Sequence, residues 1–192
     1  MPGMNARRAT AHQSPPIMQF LVWARLAREK GIAELISGWR HLTNPDIRLT
    51  IIGDGPLEKS LRVVAGPDQR ISIHTQSSIN IDESFQRAQV LIAPSLAYET
   101  FDLSVVAGWQ AGLPVLATNL GAHTEYVTPE VGWLVEPGRP LAWTRMIEHI
   151  LGDEAGWHAR QTAAAARGQD FNWPKHLAAI SGAYQEAREL QV

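Results

Sequence analysis

The sequence predicts an α/β domain: a parallel sheet of about six strands with helices on both faces. Three observations predict it. Short apolar runs alternate along the chain with stretches whose apolar residues recur at helical spacing. One run, Val90 to Ala93, is apolar throughout and looks like a strand buried on both sides. And 192 residues, 45% of them hydrophobic, suffice for one ordinary core and not for two large ones.

Met1 to Pro16 is polar, carries Arg7 and Arg8 without any acid, and ends in Ser14-Pro15-Pro16. It lacks the apolar core of a secretory signal and reads as a flexible leader, with residues 17–192 forming the domain. Gln19 to Ala24 is the first strand. Ile32, Leu35, Ile36 and Trp39 then fall on one stripe of an amphipathic helix. Asn44-Pro45-Asp46 is a turn, and Leu49 to Ile52 the second strand. Gly53-Asp54-Gly55-Pro56 breaks it, and a helix follows to Val64. Ile71 to His74 is a strand, Asp82 to Ala88 a short helix, and Val90 to Ala93 the fourth strand.

Pro94 and Ser95 stop that strand, and the loop after them carries Glu99. A helix runs from Leu103 to Gly112, a C-terminal stop, and Val115 to Thr118 is the fifth strand. Gly121-Ala122-His123 opens another loop with a short helical piece toward Val127. Trp133 to Val135 reads as an edge strand. Leu141 to Leu151 has its apolar residues on one helix face, and Ala155 to Arg167 is Ala-rich and helical. Pro174 sits in the first turn of a last helix whose inner face carries Leu177, Ile180 and Tyr184.

Composition excludes several classes. A formal net charge of -2 gives no reason to expect a nucleic-acid partner. With no cysteine there is neither a disulfide nor a thiolate metal site, which fits a cytoplasmic protein. No apolar run has the length of a transmembrane segment. His123 and Glu125 lack zinc-motif spacing, and no metal site is expected.

The chemistry-bearing candidates gather where strands end. In a parallel sheet the loop after Val90–Ala93 lies at the carboxyl edge and at a helix N-terminus, a place that suits anions. Arg25 and Lys30 leave the first strand at that same edge. They suit a diphosphate, or are two solvated charges. Gly53-Asp54-Gly55-Pro56 is a tight turn or a close backbone approach to a ligand. It is not a dinucleotide fingerprint, because Glu58 stands where the third glycine belongs. Glu99 is a surface carboxylate or a ligand contact. Asp102 precedes the apolar helix as an N-cap. The seven Trp residues belong to core or interface.

Together these stretches resemble the C-terminal half of the retaining family-4, or group 1, glycosyltransferases, which have the GT-B architecture. Arg25-Leu26 followed by Lys30-Gly31 is similar to that family's Gly-Arg-Leu-x-x-x-Lys-Gly, with Ala24 for its first glycine. Gly53-Asp54-Gly55-Pro56 matches its Gly-Asp-Gly-Pro turn. Ala88 to Ser95 resembles Ala-Asp-Val-x-x-x-Pro-Ser, with Gln89 for Asp. Tyr98-Glu99-Thr100-Phe101, Ala111 to Thr118, Gly132 to Gly138 and Phe171-Asn172-Trp173 continue the match in order.

The resemblance implies a Rossmann-like half-domain that binds a nucleotide-sugar and takes part in retaining sugar transfer, without metal or cofactor. Arg25 and Lys30 would bind the diphosphate. Glu99 would hold the sugar hydroxyls as the catalytic positioning group. The backbone of Thr100, Phe101, Asp102 and Leu103 would face sugar and phosphates, and the Gly121 loop would lie near the diphosphate. Three departures stand out. Ala107 occupies the position of the family's second glutamate, which meets the nucleotide ribose. Asp102 replaces a glycine and weakens anion binding unless it turns away as a cap. The family's acceptor-binding half lies outside these motifs, so a separate acceptor-binding chain or self-association is expected. The alternative is a non-catalytic nucleotide-sugar-binding or scaffold module.

Overall fold

A computed structural model describes residues 17–189; the leader read at residues 1–16 lies outside the described residues. The elements are β1 (Met18–Trp23), α1 (Ile32–Trp39), β2 (Ile47–Ile52), α2 (Glu58–Ala65), β3 (Ile71–His74), α3 (Ile81–Arg87), β4 (Val90–Ala93), α4 (Leu103–Gln110), β5 (Val115–Thr118), α5 (His123–Tyr126), β6 (Gly132–Val135), α6 (Pro140–Gly152), α7 (Glu154–Gly168) and α8 (Trp173–Glu189). A three-residue 3-10 turn, Arg28–Lys30, precedes α1.

The six strands form one sheet in the order β3-β2-β1-β4-β5-β6, with every neighbour parallel. The chain builds outward from β1 to β3, then returns to place β4 on the other side of β1. That reversal makes the β1/β4 gap a topological switch point, where the connections leaving the two strands diverge.

Burial explains why the strands read as apolar runs. Along β1, Phe20 and Val22 enter one core while Leu21 enters the other. The first core packs α1, α2 and α6 against the sheet through Leu35, Trp39, Leu61, Trp143 and Ile147. The second packs α3 and α4 through Phe85, Val105 and Trp109. Helix α7 joins the two, with Trp157 in the first core and Ala164 in the second. The stripe read from Ile32 to Trp39 is fully buried.

Two expectations are corrected. Strand β2 begins at Ile47, two residues before the apolar run suggested, because Arg48 turns its guanidinium to the carbonyls of Pro45 and Ile47 at 2.7 Å. Leu177, Ile180 and Tyr184 do not form an inner face: they are 56%, 40% and 70% exposed. Their spacing is helical, and α8 forms, but the stripe faces solvent among the described residues.

The start of β3 is fastened by one charged knot. Arg70 grips Asp68 with two hydrogen bonds of 2.9 and 2.7 Å and donates to the carbonyls of Leu42 and Asn44 at 2.8 and 3.0 Å. It thereby ties the turn after α1 to β3. The hydrogen bonds from Arg70 hold the Asp68 carboxyl below its ordinary range. This contribution is present above the unfolded carboxylate's titration and is lost as pH falls through the folded value. Arg70→Ala is expected to destabilise the fold by about 2 kcal/mol in urea unfolding near neutral pH, with a smaller difference in acid.

Candidate functional site

A cleft of about 320 Å3 opens beyond the carboxyl ends of β1 and β4. Trp23 at the end of β1 and Ala24 just beyond it border the cleft on one side, Ile92 and Ala93 of β4 on the other, and Arg25, Lys30, Glu99, Phe101, Asp102 and Leu103 complete its charged and apolar walls. Six of the eight predicted site residues are thus brought together at the switch point.

Lys30 arrives through the 3-10 turn, whose carbonyl at Glu29 accepts the Leu96 amide at 2.7 Å. This bond seats the β1 exit on the β4 exit. Lys30 Nζ donates to Glu99 Oε1 at 2.6 Å, and Ser95 Oγ donates to the same oxygen, also at 2.6 Å. Both charged side chains are largely shielded, at 23% and 18% exposed. Arg25 sits further out, 62% exposed, and pairs with Glu29. Ser95 is a site residue that sequence reasoning took only as the end of a strand.

The turn at Gly53 proves to serve the fold. A Cβ on Gly53 would stand 1.8 Å from the Ala24 carbonyl oxygen, and one on Gly55 2.4 Å from that of Leu26. Backbone meets backbone there, and no ligand is needed to explain the glycines. Gly121 does not line the cleft either. It adopts φ +58° against the backbone of Tyr98 and Glu99, and Ala122 N donates to Glu99 O at 2.9 Å. The Gly121 loop therefore buttresses the Glu99 loop from behind.

Asp102 caps α4. Its Oδ1 accepts from Ser104 N at 2.9 Å and Ser104 Oγ at 2.7 Å, while Oδ2 lies 3.2 Å from His123 Nε2. Burial pushes this carboxyl up, yet the hydrogen bonds from His123 and Ser104 outweigh it and hold it below the ordinary carboxylate range. The carboxylate is thus engaged as the cap. One expected contact is corrected: the Asp102 amide donates to Tyr126 Oη at 3.1 Å and is not available to a ligand. The amides of Thr100, Phe101 and Leu103 make no hydrogen bond among the described residues. Thr100 itself is exposed and outside the cleft lining. Phe101 stands on an aromatic cluster of Tyr126, Phe171 and Trp109, with ring centroids 5.6 to 6.2 Å apart. Arg167 lies over Trp109 and Phe171. Ala107 is on α4 one turn beyond Leu103, on the same face and partly buried.

A larger groove, about 740 Å3, lies at the sheet edge between the end of β6 and the start of α6. It holds none of the predicted residues, and its acid, Glu136, is paired with Arg139 at 2.9 Å. The smaller cleft has the convergent charges and the switch-point position, and is the candidate site.

The parallel sheet, covered on both faces and carrying a cleft of convergent charged side chains at its switch point, defines a Rossmann-like α/β domain. The family model described as "Glycosyl transferases group 1" matches residues 18–153, a span that contains every predicted site residue, and the chain belongs to that family. The D-inositol 3-phosphate glycosyltransferase of Pseudarthrobacter chlorophenolicus is 28% identical over 189 residues, covering 93% of this chain and 45% of that protein. The glycogen synthase of Mycobacterium tuberculosis is 27% identical over 179 residues, covering 88% and 43%. The chain therefore spans less than half the length of these curated relatives. A glycosyltransferase structure from Rickettsia africae superposes with a TM-score of 0.77 at 20% identity, over 90% of this chain and 48% of that one. The fold implied by the sequence, one half of the GT-B architecture, is the fold found.

Removing the cap tests how firmly this wall is held. Asp102→Ala strips α4 of its cap and leaves the buried His123 without its carboxylate. It is expected to cost about 3 kcal/mol in denaturant unfolding. Asp102→Asn, which keeps the acceptor for Ser104, should lose clearly less.

Proposed function

We propose that this domain is the donor-binding half of a retaining group 1 glycosyltransferase and transfers a sugar from a nucleotide-sugar to an acceptor held by another domain. One observation supports the reading above others: Lys30 and Glu99, 69 residues apart, meet at the switch point of a family-matched sheet. The two have complementary tasks. An ammonium binds a diphosphate as a point charge, and a carboxylate accepts hydrogen bonds from sugar hydroxyls. In the structure the two are paired with each other, Lys30 Nζ on Glu99 Oε1. A nucleotide-sugar offers each a new partner, its phosphate to Lys30 and its hydroxyls to Glu99.

Arg25, at the rim, adds a second cation, and the unengaged Leu103 amide adds a donor at the start of α4. Charge that develops on the departing nucleoside diphosphate is stabilised by these groups without rearranging the scaffold. No metal or cofactor is required in this scheme. The acceptor side is left to the exposed rim: Tyr98, Phe101 and Leu103 are 81%, 50% and 62% exposed beside the cleft. Such a surface suits closure by a second domain or a separate acceptor-binding chain. It also favours self-association of the isolated domain, which sedimentation should show as a concentration-dependent rise in mass. A clean monomer at high concentration counts against it.

Ala107 favours a second reading, a module that binds donor without turning it over, because it offers no carboxylate to a ribose. Calorimetric titration with UDP and GDP tests both. The unaltered protein is expected to bind weakly and Lys30→Ala to abolish binding. Ala107→Glu should tighten it by about one to two powers of ten through two ribose hydrogen bonds. Absence of binding in all three proteins defeats the donor-site proposal. Binding without turnover, even with an acceptor-side domain supplied, selects the module.

A further inference from the structure

The donor-site reading gives a diphosphate to Lys30 and Arg25 and a sugar to Glu99. It leaves one stretch of the cleft without a task, the stretch lined by Trp23, Ala24 and Gln76. Three strand ends are level there. Trp23 is in register with Ile52, and Ile52 with His74. The ladder continues past the strands: Ala24 N donates to Ile52 O at 3.1 Å, and Gly53 N to His74 O at 2.9 Å. The Gln76 amide then donates to Asp54 Oδ2 at 3.3 Å. These bonds fix the exits of β1 and β3 at one edge of the sheet, two strand spacings or roughly 10 Å apart. In the strand order, the exits that carry Gln76 and Glu99 lie on opposite sides of the β1 exit.

Trp23 differs from its counterparts in the cores. Trp39, Trp109, Trp133, Trp143 and Trp157 are buried, whereas Trp23 is partly exposed and borders the cleft. A perpendicular contact with Phe85 of α3, ring centroids 5.6 Å apart, holds its indole in place. Its N–H makes no hydrogen bond among the described residues, and neither does the side-chain amide of Gln76. The stretch thus offers an aromatic surface, with an uncommitted donor and acceptor at its end, in the same cleft as the Lys30 ammonium. A ligand that is flat and aromatic at one end and anionic at the other fits this layout. Every nucleobase has a face that stacks on an aromatic side chain and an edge that hydrogen-bonds.

Resting on the donor-site reading, we propose that Trp23 is the nucleobase platform of this cleft, stacking the base of a nucleoside diphosphate whose phosphates meet Lys30 and Arg25. The platform supplies affinity from the base, at a site where Ala107 offers none to the ribose.

Calorimetry on the full chain tests this with UDP, GDP and inorganic pyrophosphate, which carries the diphosphate without a base. Trp23→Leu keeps an apolar side chain against Phe85. It should bind both nucleotides about tenfold more weakly and pyrophosphate as before. Trp23→Phe keeps a stacking face and should recover most of the loss. A purely structural tryptophan would lower nucleotide and pyrophosphate affinity together. Nucleotide affinity that survives Trp23→Leu, or a loss shared with pyrophosphate, overturns the proposal.

NMR of the indole N–H groups separates this proposal from the reading it rests on. Adenosine and uridine, which carry no phosphate, should shift the Trp23 resonance at millimolar concentration; that resonance is identified by its loss in Trp23→Phe. If nucleotides bind no better than these nucleosides and Lys30→Ala changes nothing, the donor-site reading fails and the shifted indole upholds the platform. If pyrophosphate binds while the Trp23 resonance ignores nucleosides and nucleotides alike, the platform fails and the donor-site reading stands. If no ligand binds and the resonance never moves, both fail.

Discussion

The hydrogen bond between Lys30 and Glu99 is the contact on which the cleft depends. It can form because the strand order reverses between β3 and β4, which sets the β1 and β4 exits side by side. A sheet extended in simple sequence order would separate them by two strands. The reversal itself is stabilised by burial, since β1 and β4 are central strands with apolar contacts on both faces. Position in the sheet thus comes from hydrophobic packing, while the site's polarity comes from a few side chains where packing ends. Ser95 joins the two: 2% exposed, it gives its proton to Glu99 and its carbonyl to Thr118.

A continuous set of polar contacts runs behind the cleft wall, from Glu99 through Ser95, Thr118 and His123 to Asp102 and Ser104. Its members come from the β4 exit, the end of β5, α5 and the start of α4. Burying so many polar groups is favourable only when each finds a partner, and here each does. The cost of a broken link then falls on its neighbours rather than on one side chain. The Gly121 turn adds a steric limit from behind, because its backbone touches that of Tyr98 and Glu99. The Glu99 loop is consequently held by bonds in front and by contact at the back.

Much of the fold was legible in the sequence. Strands β4 and β5 matched their apolar runs residue for residue, because buried parallel strands are apolar throughout and Pro, Gly and polar residues bracket them here; β3, the edge strand Ile71–His74, matched its expected span although it is only partly buried. The 3-10 turn that presents Lys30 was not legible, since three residues carry no period. The exposed stripe of α8 marks a different limit: periodicity shows that a helix has an apolar face and says nothing of what covers it. In the site, Arg25, Lys30 and Glu99 were visible as charges at strand ends. The partners of Glu99 and Asp102 were not. Asp102 and His123 are 21 residues apart, and no helical or strand spacing joins them. The Gly53 turn was ambiguous for the same reason, because the backbone it touches, that of Ala24 and Leu26, lies in the segment that leaves β1.

The two departures on α4 have different physical weight. At position 102 a carboxylate replaces glycine beside the amides that would meet an anion, but the structure compensates it locally with a cap and an imidazole. That substitution changes how the wall is built: its carboxylate is engaged as the cap by Ser104 and lies 3.2 Å from His123. At position 107 a methyl group stands one turn below Leu103, partly buried, and no neighbouring carboxylate among the described residues lines the cleft in its place. The carboxylates that do line it are Glu99, engaged by Lys30 and Ser95, and Asp102, engaged by Ser104 and His123. On the proposed donor-site reading, the cleft would keep its means of holding a diphosphate and a sugar more fully than its means of holding a ribose. Affinity in such a site would come from the charged end of the donor, and selection between nucleotides would be left to shape and stacking rather than to a ribose-binding carboxylate.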